Sequence, residues 1–196
     1  AEHFFDENPE RITVGEVELN TNYVMLISSN AGLWAYNLGD TVQFTSLEPY
    51  RIIVSGRIKH FISAFGEHVI AKEVEVALQE GITFSDVQVS EFSVAPQINP
   101  PSGLPYHEWL IEFENDPRNI IELAEKIDFS LQNQNSYYRD LIEGKVLQPL
   151  KISKVKKNGF QDYMKSIGKL GGQNKLPRLA NDRKIADELL RLNLLK

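Results

Sequence analysis

At 196 residues the chain can form one large domain or two small ones, and a chain of this size buries roughly 70% of its unfolded surface. With 42% hydrophobic and 24% charged residues it has an ordinary globular composition, and a net charge of −6 excludes a general nucleic-acid binder, which needs a basic face for phosphates. The absence of cysteine excludes a disulfide framework, a cysteine zinc site and a thiol nucleophile.

Residues 1–20 open in mid-pattern, with Phe4-Phe5 ahead of an acidic loop and Val14, Val17 and Leu19 alternating with polar positions, as in a fragment of something longer. The apolar run Tyr23 to Ile27 predicts a strand buried on both faces. Leu33–Asn37 and Thr41–Thr45 are expected to pair as a hairpin around Gly39-Asp40, and Pro49 introduces a third strand over Tyr50–Ser55. Residues 1–56 therefore read as a small β subdomain.

Past Gly56 the pattern changes. A short strand pair, His60–Ser63 and His68–Ile70, flanks Gly66, and a helix follows from Ala71 to Gln79, ended by Gly81. Val87, Val89 and Phe92 alternate as a strand, Pro96 to Tyr106 is a Pro-rich loop, and Trp109–Phe113 is a second strand. Asp116-Pro117 predicts a cap and first turn for a helix carrying Ile120, Leu123, Ala124, Ile127 and Leu131. Ser136–Ile142 reads as helix, Leu150–Val155 as a third strand and Phe160–Ile167 as a short helix stopped by Gly168. Asn181-Asp182 caps a last helix with Ile185, Leu189 and Leu192. The fold class is α+β: a small β subdomain followed by a three-stranded sheet covered by helices. No run approaches the ~18 apolar residues of a membrane span, so neither a membrane nor nucleic acid is an expected partner and a cytoplasmic setting is. The four histidines (His3, His60, His68, His107) show no metal-ligand spacing.

Four stretches can carry chemistry. Asp40 reads blandly as a turn aspartate; functionally, an ionised carboxylate accepts two hydrogen bonds and suits a vicinal diol. Gly56-Arg57-Ile58-Lys59 is a solvated turn or a hinge, with charges that stay hydrated in either rotational state. Gly66, Glu67 and His68 form a turn at the surface. Gly168 to Arg178 reads blandly as a basic, glycine-rich loop joining two helices and functionally as a mobile loop in which Gly171 and Gly172 let Lys175 reach a phosphate, although no Walker-type spacing is present.

In order and spacing, Tyr36-Asn37-Leu38-Gly39-Asp40, Gly56-Arg57-Ile58-Lys59, Gly66-Glu67 and Glu73-Val74-Glu75 resemble the junction between the large and small domains of adenylate-forming enzymes, which include acyl-CoA synthetases, luciferases and peptide-synthetase adenylation domains. Gly171-Gly-Gln-Asn-Lys-Leu-Pro-Arg178, Gly32-Leu-Trp-Ala-Tyr-Asn-Leu-Gly-Asp40 and His107-Glu-Trp-Leu-Ile-Glu-Phe113 look like segments of GH3 acyl-acid amido synthetases, and the likeness covers nearly the whole chain. Ala35 stands where that family often has arginine.

The resemblance implies residues 1–56 as the last β subdomain of a large adenylation domain, a hinge at 56–59 and a small mobile domain over 57–196. It implies an enzyme that uses ATP and Mg2+ to adenylate a carboxylic acid and then passes the acyl group to an amino acid. Tyr36, Asp40 and Arg57 would bind nucleotide, with Asp40 on the ribose. Lys59 would be the pivot, Lys175 the adenylation lysine, and Gly66, Glu67 and His68 a face for the second half-reaction. Asp40 and Lys175 are expected to face one cleft, and a preceding large domain would supply the rest of the site, so the piece alone is expected to be inactive. A thioester-forming acyl-CoA synthetase is an alternative, disfavoured by the lack of a lysine near Ser63. A non-catalytic interaction module with the small-domain fold is another.

Overall fold

The computed structural model describes residues 4, 7–57, 61–83, 86–171 and 174–196, which fall into two compact units, Ala1–His60 and Phe61–Lys196. In the first, a 3-10 turn at Val14–Glu16 is held by Glu16, whose carboxylate accepts from the Thr13 amide and hydroxyl at 2.8 Å each. Three antiparallel strands follow, β1 (Asn22–Ile27), β2 (Tyr36–Leu47) and β3 (Tyr50–Arg57), in the order β1-β2-β3. Val42 and Phe44 are the buried apolar residues among those described here, and Tyr23 and Tyr50 meet the Phe44 ring edge-on at 6.1 and 5.9 Å. As an edge strand β1 is half-buried, with Leu26 exposed, instead of buried on both faces as its apolar run suggested.

The expected hairpin around Gly39-Asp40 is absent, because β2 runs unbroken from Tyr36 to Leu47. Val24 and Leu26 of β1 pair with Thr41 and Asn37, so three residues of β2, Leu38 to Asp40, stand opposite one of β1. Gly39 takes a positive φ of 80° at this bulge, and its amide donates to the Asn37 side chain at 2.8 Å. The turn lies instead at Glu48-Pro49, between β2 and β3.

The second unit opens with a two-stranded ribbon, β4 (Phe61–Ile62) and β5 (Val69–Ile70), then α1 (Ala71–Ile82). Strands β6 (Gln88–Gln97) and β7 (Tyr106–Asn115) pair antiparallel, and β8 (Lys151–Val155) joins β7 in parallel, giving the sheet order β6-β7-β8. Helices α2 (Ile120–Gln134), α3 (Ser136–Glu143), α4 (Gly159–Ser166) and α5 (Lys184–Arg191) complete it. The period of two along the strands divides the core. Phe92, Val94, Trp109, Ile111 and Phe113 pack with α1, α2 and α3, whereas Ala95, Leu110 and Val155 pack with α4 and α5. This is the expected α+β unit, with helices on both faces of a three-stranded sheet.

Three local expectations change. Gly81 is buried in the last turn of α1, which runs one residue further to Ile82, and a Cβ there would collide with Ile127 of α2. Helix α2 begins three residues beyond Pro117, capped by Asn119, whose side chain accepts from the amides of Ile121 and Glu122 at 3.1 and 3.2 Å. Pro96 belongs to β6, whose edge position tolerates the missing amide donor.

Buried carboxylates fasten helices to the sheet. Glu112 accepts from the amides of Asn158 and Phe160 at the start of α4, where a negative charge also meets the positive end of the helix dipole. Glu108 pairs with Arg183, just before α5, at 2.8 Å and accepts from Ser153 of β8 at 2.5 Å.

Candidate functional site

Within Ala1–His60, Tyr36 and Asp40 lie on β2, and in the β2–β3 register Asp40 is directly opposite Arg57. Tyr36 is exposed and Asp40 half-buried. The bulge at Leu38–Asp40 places Asp40 at the point where the β1 and β2 ladders shift, a device that re-aims a side chain without ending a strand. Thr41 and Ser55 share a buried hydroxyl–hydroxyl bond of 3.1 Å beside it. A Cβ at Gly56 would stand 3.3 Å from Thr41 Oγ1, so this glycine admits a close strand approach. Lys59, the expected pivot, and its neighbours 58 and 60 lie outside the described residues.

Within Phe61–Lys196, the β4–β5 turn carries Gly66, Glu67 and His68. Gly66 has a φ of 90° and its amide donates to the Ser63 carbonyl at 3.4 Å, and the Ser63 amide donates to Asn181 at 2.9 Å. Gly66 is exposed, but Glu67 turns fully into the core. Its Oε2 accepts from the Phe65 amide at 2.8 Å and its Oε1 lies 2.8 Å from Nε2 of His107, itself completely buried on β7. The ring of His107 stacks against Tyr138 at 5.0 Å and Phe65 at 6.4 Å. Tyr138 donates to Asp128 at 2.6 Å, and Asp128 also accepts from the Leu150 amide at 3.0 Å. Burial pushes the Glu67 carboxyl up, but the hydrogen bond and charge of His107 and the Glu67 and Phe65 amides outweigh it and hold it below the ordinary glutamate range. Burial also drives the Tyr138 phenol well above the usual value, reinforced by Asp128. His68 is half-buried with a positive φ of 46°.

Lys175 is exposed on the connection between α4 and α5, where Gly168 and Gly171 take φ values of 68° and 89°. Gly172 and Gln173 lie outside the described residues. Immediately after Lys175 the chain docks on β6. The Ser93 hydroxyl donates to the Pro177 carbonyl at 2.8 Å, Val94 and Leu179 form a parallel bridge, and the Arg178 guanidinium lies 4.6 Å over the Phe92 ring while pairing with Glu91. Arg178 also faces Glu75, the second acid of the Glu73-Val74-Glu75 stretch, at 3.8 Å. Glu73 itself accepts from the Ile70 amide at 2.9 Å and from Asn135 at 3.2 Å. Burial raises its pKa against those two bonds.

The structure thus groups Tyr36, Asp40 and the Arg57 backbone on one bulged sheet, and Gly66, Glu67 and His68 on one turn, with Lys175 on its own tethered loop. The Glu67–His107 pair and the Arg178 docking were not singled out from the sequence. Their partners are 40 or more positions apart, and only the short run His107 to Phe113 marked one of them. Among the described residues no three carboxylate, imidazole or thiol groups converge as a metal site. Mg2+ commonly binds through one or two carboxylates and substrate phosphates.

The sequence of the GH3 family C-terminal domain matches residues 70–184, and that of the GH3 family central domain matches residues 1–57. The chain belongs to the GH3 family. Among its relatives are jasmonoyl–L-amino acid synthetase GH3.5 of Oryza sativa subsp. japonica, 23% identical over 188 residues, and indole-3-acetic acid-amido synthetase GH3.3 of Arabidopsis thaliana, 25% identical over 185 residues. These alignments cover 91% and 88% of this chain but 32% and 31% of the relatives, so the chain spans about a third of their length. The solved GH3.15 acyl acid amido synthetase shares the fold, with a TM-score of 0.71 and 19% identity over 94% of this chain and 36% of that one. No described helix is long and apolar enough to cross a membrane.

Proposed function

We propose that this chain is the C-terminal third of an acyl-acid amido synthetase that activates a carboxylic acid with ATP and joins it to an amino acid. The observation that carries the reading is the match to both GH3 domains in succession along the chain. In the first half-reaction a carboxylate oxygen bonds to the α-phosphorus of ATP and the bond to pyrophosphate breaks. In the second, the amine nitrogen bonds to the acyl carbon, AMP leaves and the amine gives up a proton. Asp40 accepts hydrogen bonds from the ribose diol, Tyr36 and Arg57 contact the nucleotide, and Mg2+ arrives with the phosphates. Lys175 stabilises the charge that develops on the α-phosphate and pyrophosphate, a contact whose loss typically costs about 3–4 kcal/mol of barrier.

The proposed division places residues 1–56 with the large domain, a hinge at 56–59 with Lys59 as pivot, and residues 57–196 in the mobile domain. The turn at Gly66–His68 serves the second half-reaction, with Gly66 and His68 as its outer positions and Glu67 as the internal brace. The piece alone lacks most of the acid and nucleotide sites and is inactive.

The test is Lys175→Ala in the full-length protein, with acyl-AMP formation and amide formation from preformed adenylate assayed separately. Acyl-AMP formation should fall by about 100-fold or more while the amide step is little changed. Equal loss in both steps would remove the case for Lys175. Amine-dependent rather than thiol-dependent AMP release distinguishes the reading from a thioester-forming enzyme.

A further inference from the structure

We infer that Arg178 and Ser93 are positioning residues that tether the Lys175 loop to the sheet and so fix where that lysine can reach. The inference rests on the reading of Lys175 above. Upstream of Lys175 the residues from Ser166 to Gly171 are exposed, with glycines of positive φ at 168 and 171. Downstream the chain is anchored to β6. The Pro177 carbonyl is held by Ser93, a hydroxyl with no exposure at all; the Arg178 carbonyl accepts from Val94 at 2.9 Å; the Ala180 amide donates to Val94 at 2.9 Å; and Leu179 is buried among the side chains packed with α1 and α2. Lys175 is two residues from the first of these anchors, so its Cα stays within about 7 Å of the Pro177 anchor.

The Arg178 side chain completes the clamp. Its planar guanidinium covers Phe92, pairs with Glu91, faces Glu75 of α1 and donates to the Phe92 carbonyl at 3.3 Å. It also borders an open groove of about 250 Å³ between α1 and β6. A part-exposed ion pair of this kind adds little to overall stability. What it does supply is geometry, because Arg presents a rigid fork that stacks and pairs at once. Displacing a catalytic group by about 1 Å can cost about 100-fold in rate, so a loose root at residue 178 costs rate with little loss of stability.

Two measurements test this. In the chain itself, amide hydrogen exchange at Ala180 and Val94 should accelerate by about tenfold or more in Arg178→Ala, with the melting transition little moved. In the full-length protein, Arg178→Ala and Ser93→Ala should each lower acyl-AMP formation by about 10- to 100-fold and leave amide formation from preformed adenylate within about twofold. Ser93→Ala removes one hydroxyl and carries the same test should Arg178→Ala fold poorly. Unchanged exchange at Ala180 overturns the tether. So does acyl-AMP formation that survives both variants while Lys175→Ala abolishes it, and in that case the reading of Lys175 stands. If Lys175→Ala itself leaves acyl-AMP formation intact, the underlying reading fails, and the exchange rates alone then show whether the clamp exists.

Discussion

The carboxylate of Glu67 is out of water, with one oxygen on a backbone amide and the other on His107, and each partner makes the burial of the other tolerable. His107→Ala should leave that charge without its main partner and destabilise the protein by about 3 kcal/mol or more in urea unfolding, well beyond the loss of packing alone. The pair also predicts a pH response. Because the folded Glu67 titrates below its ordinary range, its stabilisation is fully present above about pH 4.3, the value of a free glutamate, and disappears as the pH falls through the lower folded value. Glu67→Gln should flatten that part of the acid limb, and a limb unchanged in the variant would remove Glu67 as its source. Neither residue advertised this role. Glu67 follows a glycine and reads as a surface turn, and its partner is 40 positions away on another strand. A short-range reading sees the turn; only the fold brings His107 beneath it.

Helices α1 and α2 were legible because their apolar residues recur at helical spacing, from Val74 to Leu78 and from Leu123 to Leu131. Their ends and contacts were less so. Gly81 looks like a stop signal, but a Cβ there would run into Ile127 of α2, a reason that lies in the partner helix. Gly81→Ala should overpack that contact and cost about 1–3 kcal/mol, whereas the same change at an exposed helical glycine would stabilise. A variant as stable as the parent would mean that the helices can separate. Gly39-Asp40 shows the same limit in a strand, since the pair carries the composition of a turn yet forms a bulge fixed by register with β1. At a φ of 80°, Gly39→Ala should cost about 1–2 kcal/mol. If the bulge aims Asp40, it should also weaken nucleotide binding by the full-length protein.

The two units differ in how much interior they own. Both apolar clusters of the second unit draw on residues from Ile62 onward, while among the described residues of the first the buried apolar ones are Val42 and Phe44, with Ile52, Ile53 and Val54 of β3 exposed. Residues 61–196 should therefore fold alone and unfold in one cooperative transition, and residues 1–60 should not; calorimetry of the two pieces checks both outcomes. The α+β class and the three-stranded sheet could be foreseen from alternating strands and periodic helices. The split of the core into two faces could not, since it depends on which strand pairs with which.

Each edge strand of the second unit's sheet is bridged at one point by a later segment of the chain. Leu179 bridges to Val94 along β6 and Leu195 to Val155 along β8. An unoccupied strand border is an invitation to a neighbouring chain, and proteins guard against it by covering such borders. The short segment that follows Lys175 therefore does more than root a lysine. Bonded to β6 at Val94, it covers that stretch of the border, and loosening it would expose a longer template for self-association.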